Sequence, residues 1–121
     1  MIETYKLIGE TVSKKNSNKF NAKYRFTYKT KGYVNWYEGA VMQLRPQIKT
    51  KEIDYPVEIS MRFVHGDKRK RDSDNGQTSI LDLLVREGVI VDDNWNIVRR
   101  TVVDNDYEKG NAHCIITIKD L

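Results

Sequence analysis

Two pairs of aspartates in the segment 68–93 are spaced so that they could hold a divalent cation. Asp72 and Asp74 form an Asp-x-Asp pair, and Asp92 and Asp93 follow one predicted helix later. Carboxylate oxygens are ligands for hard ions such as Mg²⁺ or Mn²⁺. One cysteine and two histidines are too few for an ordinary zinc site within one chain. If this chain uses a metal, the pattern indicates Mg²⁺, with Mn²⁺ as the alternative.

A run of four cations stands directly before the first acidic pair. Its members are Lys68, Arg69, Lys70 and Arg71. Such side chains hold the phosphates of a nucleic-acid backbone by charge and not by base identity. The net charge of +4 is modest, but further cations are interleaved with aromatic residues in the N-terminal third. This placement indicates a polyanionic partner, most simply nucleic acid. Nucleases use cations to bind phosphate and carboxylates to bind metal, and this segment places both kinds of residue side by side.

Each of these features alone also has an ordinary structural interpretation. An Asp-x-Asp before a helix is most often an N-cap and a turn, and a second acidic pair is most often a solvated turn. A basic run is usually a solvated loop, or a localisation signal in a nuclear protein. A calcium loop is excluded, because Gly76 stands at the fifth position and Leu83 replaces the bidentate Glu. Four cations next to two acidic pairs favour a metal or phosphate site. Keeping so many charged groups close together costs free energy unless a metal ion or a phosphate binds between them.

A short amphipathic helix is predicted between the two acidic pairs. Asp74 is expected to be its N-cap, with Gln77 completing a capping box. Gly88 is expected to end it as the left-handed C′ residue. Its apolar stripe consists of Ile80, Leu81, Leu84 and Val85. A strand or turn after this helix could bring the second acidic pair back to the first.

The rest of the pattern predicts a small α+β fold with a mixed sheet, in the order β-α-β-α-β-β. Four strands are predicted, over Thr4–Gly9, Val57–Phe63, Asn96–Asp104 and Ala112–Lys119, and alternation of apolar and polar residues is clearest in the second. A turn is expected around Gly110, before the last of them.

The segment between the first two of these strands predicts a loop, a hairpin and a helix. Residues 13–21 are polar and predict a loop, and Tyr24–Tyr28 could pair with the segment after Gly32 as a hairpin. A helix is expected to begin at the N-cap Asn35 and to end near Leu44, since Pro46 cannot lie in its interior.

Length and composition predict one soluble domain over residues 1–121 with a modest core. Hydrophobic residues at 39% and charged residues at 31% suit a globular chain. No apolar run approaches a membrane span, and the N-terminus has no signal-peptide pattern. The single cysteine, Cys114, excludes an internal disulfide and fits a reducing cytoplasm.

The segment 68–93 resembles the RusA-type Holliday junction resolvases, small crossover junction endodeoxyribonucleases common in phages and prophages. The family motif is a basic run, Asp-x-Asp-Asn, a helix, a glycine, and Asp-Asp after a short apolar step. Here the match runs without gaps through KRKR at 68–71, Asp72, Asp74, Asn75, Asp82 in mid-helix, Gly88, and Asp92 with Asp93. It covers the larger, C-terminal part of the chain. The N-terminal third matches loosely, since SKKNSNKFN replaces the family's Pro-rich entry loop.

The resemblance implies a Mg²⁺-dependent homodimer that cuts four-way DNA junctions in recombination and repair, in a bacterial or phage-infected cell. It implies that Asp72, Asp74 and Asp93 are catalytic and hold one or two ions. These ions would activate a water and steady the leaving 3′ oxygen. It also implies that the basic run 68–71 contacts the DNA backbone, and that a two-fold dimer cuts two strands symmetrically.

One departure from the family bears on activity. The family places a lysine four residues after the second Asp of the Asp-x-Asp, and here that position is Thr78. A threonine cannot stabilise charge on a phosphate or a leaving oxygen as a lysine can. Either a nearby cation such as Lys70 or Arg71 takes that role, or the activity is reduced or altered.

Two other functions remain open from the residues alone. One is a metal-dependent nuclease for flaps, forks or other branched DNA. The other is a junction-binding protein without turnover, which Thr78 would fit. In either case a dimer is expected, because Trp95, Val98 and Tyr107 are apolar or aromatic residues that a domain this small struggles to bury alone.

Overall fold

The computed structural model describes residues 1–14, 18–21 and 26–121, with the backbone alone for 18–21 and 26–28. Its strands are β1 (Ile2–Ile8), β2 (Asn18–Asn21), β3 (Phe26–Lys29), β4 (Val57–His65), β5 (Val98–Tyr107) and β6 (His113–Asp120). Its helices are α1 (Lys31–Leu44) and α2 (Gln77–Arg86), with a 3₁₀ turn at Arg45–Gln47. The predicted α+β class with a mixed sheet is confirmed.

The main sheet has the order β1-β6-β4-β5. β4 pairs antiparallel with β6 and parallel with β5. The alternating apolar residues Val57, Ile59, Met61 and Phe63 of β4 are buried on one face, with α1 and α2 contributing to the same core. Because β4 and β5 are parallel, the chain must return through α2 to the start of β4 before β5 begins. The predicted strand at 57–63 is confirmed, and it continues to His65.

The N-terminal hairpin differs from the prediction. β2 pairs antiparallel with β3, so part of the predicted loop, residues 18–21, is a strand. The predicted pairing of 24–28 with the segment after Gly32 is wrong, because β3 pairs backward with β2 and the chain after Thr30 is helical. Tyr24 and Arg25 lie outside the described residues. Three of the four β2 residues, Asn18, Lys19 and Asn21, have low strand propensity, which the pairing with β3 outweighs.

α1 begins earlier than the capping pattern predicted. Thr30 is the N-cap, and its Oγ1 accepts a hydrogen bond from the Tyr33 N–H at 3.3 Å. The predicted N-cap Asn35 lies inside the helix instead. The earlier start buries Tyr33, which is 6% exposed. The predicted end at Leu44 is confirmed, with Pro46 in the 3₁₀ turn that follows.

α2 begins at Gln77 with Gly76 as N-cap, so the predicted N-cap Asp74 is wrong. A Cβ atom on Gly76 would lie only 2.5 Å from Cε1 of Phe63, which shows how closely the chain crosses β4 there. The helix can begin only after this crossing. At the other end Gly88 has φ +73°, as predicted. The N–H groups of Gly88 and Val89 donate to the carbonyls of Val85 and Leu84, which is a Schellman motif.

The buried face of α2 is rotated slightly from the predicted stripe. Ile80 and Leu84 are fully buried as expected, and Leu83, which was not in the stripe, is fully buried as well. Leu81 and Val85 pack against the core but are only partly buried. Among the described residues no helix is long and apolar enough to cross a bilayer.

Candidate functional site

A concave pocket of about 490 Å³ opens in the loop between β4 and α2. Lys70, Arg71, Asp72 and Asn75 line it. The structure therefore brings the end of the basic run and the first acid of the Asp-x-Asp to one place. A phosphate group bound by the cations there would lie beside a carboxylate able to hold a metal ion or accept a proton.

The turn that carries Asp72 and Asp74 winds directly into α2. The Asn75 N–H donates to the Asp72 carbonyl at 3.0 Å, and the Gln77 N–H donates to the Asp74 carbonyl at 3.2 Å. Both carboxylates are exposed. They lie at the N-terminal end of α2, where the helix dipole favours negative charge.

The four cations of the basic run are not equivalent. Arg71 is only 17% exposed, and its guanidinium pairs with Glu10 at 3.1 Å and with Asp67 at 3.0 Å. The Arg69 N–H and then the Arg71 guanidinium lower the pKa of Asp67. Lys68, Arg69 and Lys70 are exposed, with the Lys68 Nζ 5.0 Å from the centre of the Tyr107 ring. Three cations of the run are thus accessible to a phosphate backbone, while Arg71 holds the loop.

A chain of hydrogen bonds that the sequence did not indicate supports the Asp72–Asp74 turn. Glu10 contacts both Arg71 and His65, with Oε2 2.8 Å from His65 Nδ1. His65 Nε2 lies 2.8 Å from Asn105 Oδ1. Asn105 Nδ2 then donates to the Ser73 carbonyl at 2.8 Å. His65 is the last residue of β4 and is half-buried. No local pattern links Glu10, His65 and Asn105, since the three come from separate parts of the chain.

Asp82, the mid-helix acid of the motif, belongs to a separate ion-pair cluster. Its carboxylate contacts Lys14 Nζ at 2.9 Å and Arg86 Nε at 3.2 Å. The buried Ser79 accepts from the Lys14 N–H at 2.7 Å. Burial and then Asp82 raise the pKa of Tyr33 to about 12. Asp82 therefore attaches the segment around Lys14 to α2.

The second acidic pair, Asp92 and Asp93, lies beside the start of β4, whereas the Asp72–Asp74 turn follows the end of that strand. The Val91 N–H donates to the Ile53 carbonyl at 3.1 Å, and the Val57 N–H donates to the Ile97 carbonyl at 2.8 Å. These bonds fix the loop 92–96 beside the first residue of β4. Hydrogen bonds from the Asn94 side chain and then from the Asp93 N–H lower the pKa of Asp92.

The Asp72–Asp74 turn lies near the C-terminal end of β4, close to Phe63. The ring of Phe63 is next to Gly76, and its backbone is paired with Asn105 on β5. Phe63 and Val57 are six residues apart on β4, which is roughly 20 Å at about 3.3 Å per residue. Within one chain the structure thus brings Asp72 and Asp74 together and leaves Asp93 apart.

The fit of a metal ion to one chain is limited by this separation. In the described residues no group of three or more His, Cys, Asp or Glu side chains could hold a metal ion. Ligands of one Mg²⁺ lie about 2.0–2.1 Å from it, and paired metals lie about 3.5–4 Å apart. Neither arrangement spans the distance between Asp93 and the other two aspartates. One chain offers two of the three expected ligands in one place.

Thr78 is the second residue of α2 and is exposed. With the predicted N-cap at Asp74, Thr78 would lie four residues later, one turn into the helix and above Asp74. Because the helix begins at Gln77, that spacing no longer places its side chain over Asp74. Thr78 still lies in the first turn of the helix that comes after the Asp-x-Asp.

Residues 9–119 match the family described as Endodeoxyribonuclease RusA. One relative is the crossover junction endodeoxyribonuclease RusA of Aquifex aeolicus (strain VF5), 35% identical over 92 residues. That alignment covers 76% of this chain and 71% of the relative. The resemblance seen in the segment 68–93 therefore extends over most of the chain.

Proposed function

This chain belongs to the RusA family of endodeoxyribonucleases, and on that premise we propose that it resolves four-way DNA junctions by hydrolysing phosphodiester bonds. The observation that supports this best is the pocket where Lys70, Arg71 and Asp72 meet. A backbone phosphate held by the exposed cations would lie against the carboxylates of the Asp-x-Asp. Such contacts bind the DNA backbone and do not depend on the base sequence.

The proposed cofactor is a divalent cation, Mg²⁺ with Mn²⁺ as a substitute. Its proposed ligands, and the proposed catalytic residues, are Asp72, Asp74 and Asp93, because hard ions of this kind are bound by carboxylate oxygens. A single chain does not bring all three proposed ligands to one metal ion, because Asp93 lies at the opposite end of β4 from Asp72 and Asp74.

The residues around the pocket have distinct proposed roles. Lys68, Arg69 and Lys70 bind the DNA backbone. Arg71 binds Glu10 and Asp67 and so holds the loop in the shape that presents these cations. Lys70 is the cation best placed for the role of the family lysine that Thr78 replaces, because it lines the pocket and, unlike Arg71, has no ion-pair partner among the described residues.

The proposed active form is a homodimer acting in the cytoplasm of a bacterial or phage-infected cell. Trp95 and Tyr107 are 72% and 41% exposed, as expected of residues that a partner covers. Val98, the third residue expected to need a partner, is 8% exposed and is buried by its own chain. Two sites related by a two-fold axis would cut two strands of a junction symmetrically.

The test of the proposed function is a substrate panel. Four-way junction, fork, flap and linear duplex of matched length are incubated with Mg²⁺, with Mn²⁺, and with a chelator. Cutting of the junction far above the others, lost with the chelator, supports the proposal. Equal cutting of forks or flaps favours a general nuclease for branched DNA, and tight junction binding without cutting favours a non-catalytic binding protein.

A further inference from the structure

His65 lies between two hydrogen-bond acceptors, one at each nitrogen of its ring. Nδ1 is 2.8 Å from Glu10 Oε2, and Nε2 is 2.8 Å from Asn105 Oδ1. Glu10 also binds the Arg71 guanidinium as a carboxylate, and an ionised carboxylate has no proton to donate. The proton in the contact between Glu10 and His65 must therefore be on Nδ1 of the histidine.

The orientation of the Asn105 amide is fixed from its other end. Its Nδ2 donates to the Ser73 carbonyl at 2.8 Å, and a backbone carbonyl can only accept. A flipped amide would set Oδ1 against the Ser73 oxygen and lose this bond. Oδ1 must therefore face His65, and Nε2 of the ring must donate to it. Both ring nitrogens then need a proton, and only the imidazolium form of histidine carries two.

The charges around the ring also favour a cationic His65. Glu10 and Asp67 are two carboxylates that share the guanidinium of Arg71, at 3.1 and 3.0 Å. Arg69 lies 3.7 Å from Asp67, but its side chain is 83% exposed, so water screens most of its effect. One buried arginine thus faces two carboxylates. A positive charge on His65 balances the second of them.

The other titratable groups on the elements next to His65 have their own partners. They are Tyr107 with Lys68 above its ring, Glu108 with Asn111, Asp106 with Arg62, and His113 with the Asn111 carbonyl. Among the described residues the His65 ring itself is hydrogen-bonded to Glu10 and Asn105. These two acceptors therefore decide which protons the ring must carry.

Loss of one ring proton breaks this network at the Asn105 end. The negative charge of Glu10 retains the proton on Nδ1, so the proton on Nε2 is the one released. The lone pair of Nε2 then faces the lone pairs of Asn105 Oδ1 across 2.8 Å. Rotation of the amide removes this repulsion only by breaking its bond to Ser73. The turn that contains Asp72 and Asp74 then loses its link to β5.

We propose that His65 is a positioning residue for the reaction and that it acts in its doubly protonated form. The imidazolium holds the Asn105 amide, and the amide holds the turn that presents Asp72 and Asp74. Histidine is the side chain that changes charge near neutral pH. Cutting therefore depends on pH through a residue that need not contact DNA or metal. Its effect on cutting rests on the proposed function, whereas its protonation state is measured without any cutting.

Nitrogen NMR measures the protons on the His65 ring directly. The chain has two histidines, and His65→Ala identifies which signals belong to His65 and which to His113. At about pH 7 both ring nitrogens of His65 are expected to be protonated in most molecules. Glu10→Gln removes the negative charge, so it is expected to lower this doubly protonated fraction and to leave His113 unchanged. A His65 ring with one proton at this pH in the wild-type protein overturns the proposal.

The side-chain amide signals of Asn105 test the link to the turn. In the wild-type protein they are expected to shift over the same pH range in which His65 loses its second proton. The exposed amide of Asn35 on α1 is the control and should not move with them. Asn105 signals that stay constant while His65 titrates would separate the histidine from the turn and overturn the proposal. This measurement uses the wild-type chain, so it holds even if His65→Ala does not fold.

Single-turnover cutting of a pre-bound junction tests the effect on the reaction. The quantity measured is the ratio of the wild-type rate to the His65→Ala rate, in which effects of pH on the attacking water cancel. The ratio is expected to be about 10 near pH 6 and to fall toward 1 near pH 9, since about 1 Å of displacement can cost up to about 10²-fold. A ratio that does not change with pH indicates a merely structural histidine and overturns the proposal. If wild-type protein cuts no junction at any pH, the proposed function fails instead, and the NMR measurements still decide the role of His65.

Discussion

The Asn105 side-chain amide on β5 donates a 2.8 Å hydrogen bond to the backbone carbonyl of Ser73. This bond joins the edge strand to the turn that contains Asp72 and Asp74. The Oδ1 atom of the same Asn105 amide is hydrogen-bonded to Nε2 of His65. The position of the carboxylates is thus set by an amide that need not itself contact DNA or metal.

Asn105→Ala is expected to lower the rate of junction cutting by about 10- to 100-fold, because displacement of reacting groups by about 1 Å can cost about 10²-fold. Junction affinity should change little, since no basic residue is lost. Single-turnover rates and binding isotherms measure the two effects separately. Asn35→Ala, exposed on α1, is the matched control. A wild-type rate in Asn105→Ala would show that the turn holds its shape without this bond.

Asp72→Asn, Asp74→Asn and Asp93→Asn are each expected to abolish cleavage and to leave junction binding intact or tighter. The substitutions remove proposed metal ligands and also remove negative charge that repels phosphate when no metal is bound. Asp54→Asn, at an exposed position outside the site, should cut normally. A variant of the three that cuts at near wild-type rate in saturating Mg²⁺ would not be a ligand.

Replacing Lys68, Arg69 and Lys70 with alanine should weaken the dependence of junction binding on salt. Each lost phosphate contact lowers the slope of log K against log[salt] by roughly 0.9 per chain. The same replacement at Arg71 is expected to alter stability more than the slope, since its guanidinium is engaged by Glu10 and Asp67. An unchanged slope in the triple variant would place the DNA elsewhere on the protein.

Gly76→Ala is expected to reduce the free energy of unfolding by about 1–3 kcal/mol, the usual cost of forcing extra volume into a packed core. The new methyl group would lie 2.5 Å from the ring of Phe63, and the buried ring has little room to move. Gly39→Ala in α1 is the control, since nothing lies within 4 Å of its added Cβ atom. That control should be stabilising by about 0.5–1 kcal/mol, because alanine is the better helix residue. Chemical denaturation of both variants measures the difference.

Thr78→Lys is expected to raise turnover with little change in junction affinity, if the missing family lysine limits the rate. A contact made chiefly in the transition state acts on kcat and not on ground-state binding. Lys70→Ala should then lower kcat beyond its effect on binding if Lys70 already fills part of that role. Single-turnover rates on pre-bound junction distinguish these cases. No effect from either variant would mean that this enzyme has no lysine-like role in catalysis.

The features that the sequence alone determined are those set by near neighbours along the chain. Alternation of apolar residues over 57–63 defined β4, since successive side chains of a strand face opposite sides. Gly88 ended α2 as predicted, because a left-handed residue closes a Schellman motif with carbonyls of the preceding turn. The motif in 68–93 identified the family, since it too is a run of fixed spacing.

Tertiary contacts decided the rest. Asp74 and Asn35 had the right local chemistry for N-caps, but the passage of Gly76 over Phe63 and the burial of Tyr33 moved both helix starts. Partners from distant strands, Asn105 above all, support the turn between β4 and α2, and spacing along the chain carries no record of them. Most of all, the parallel pairing of β4 and β5 separates Asp93 from Asp72 and Asp74. A parallel neighbour must be reached by crossing back over the sheet, so residues close in sequence lie at its opposite ends.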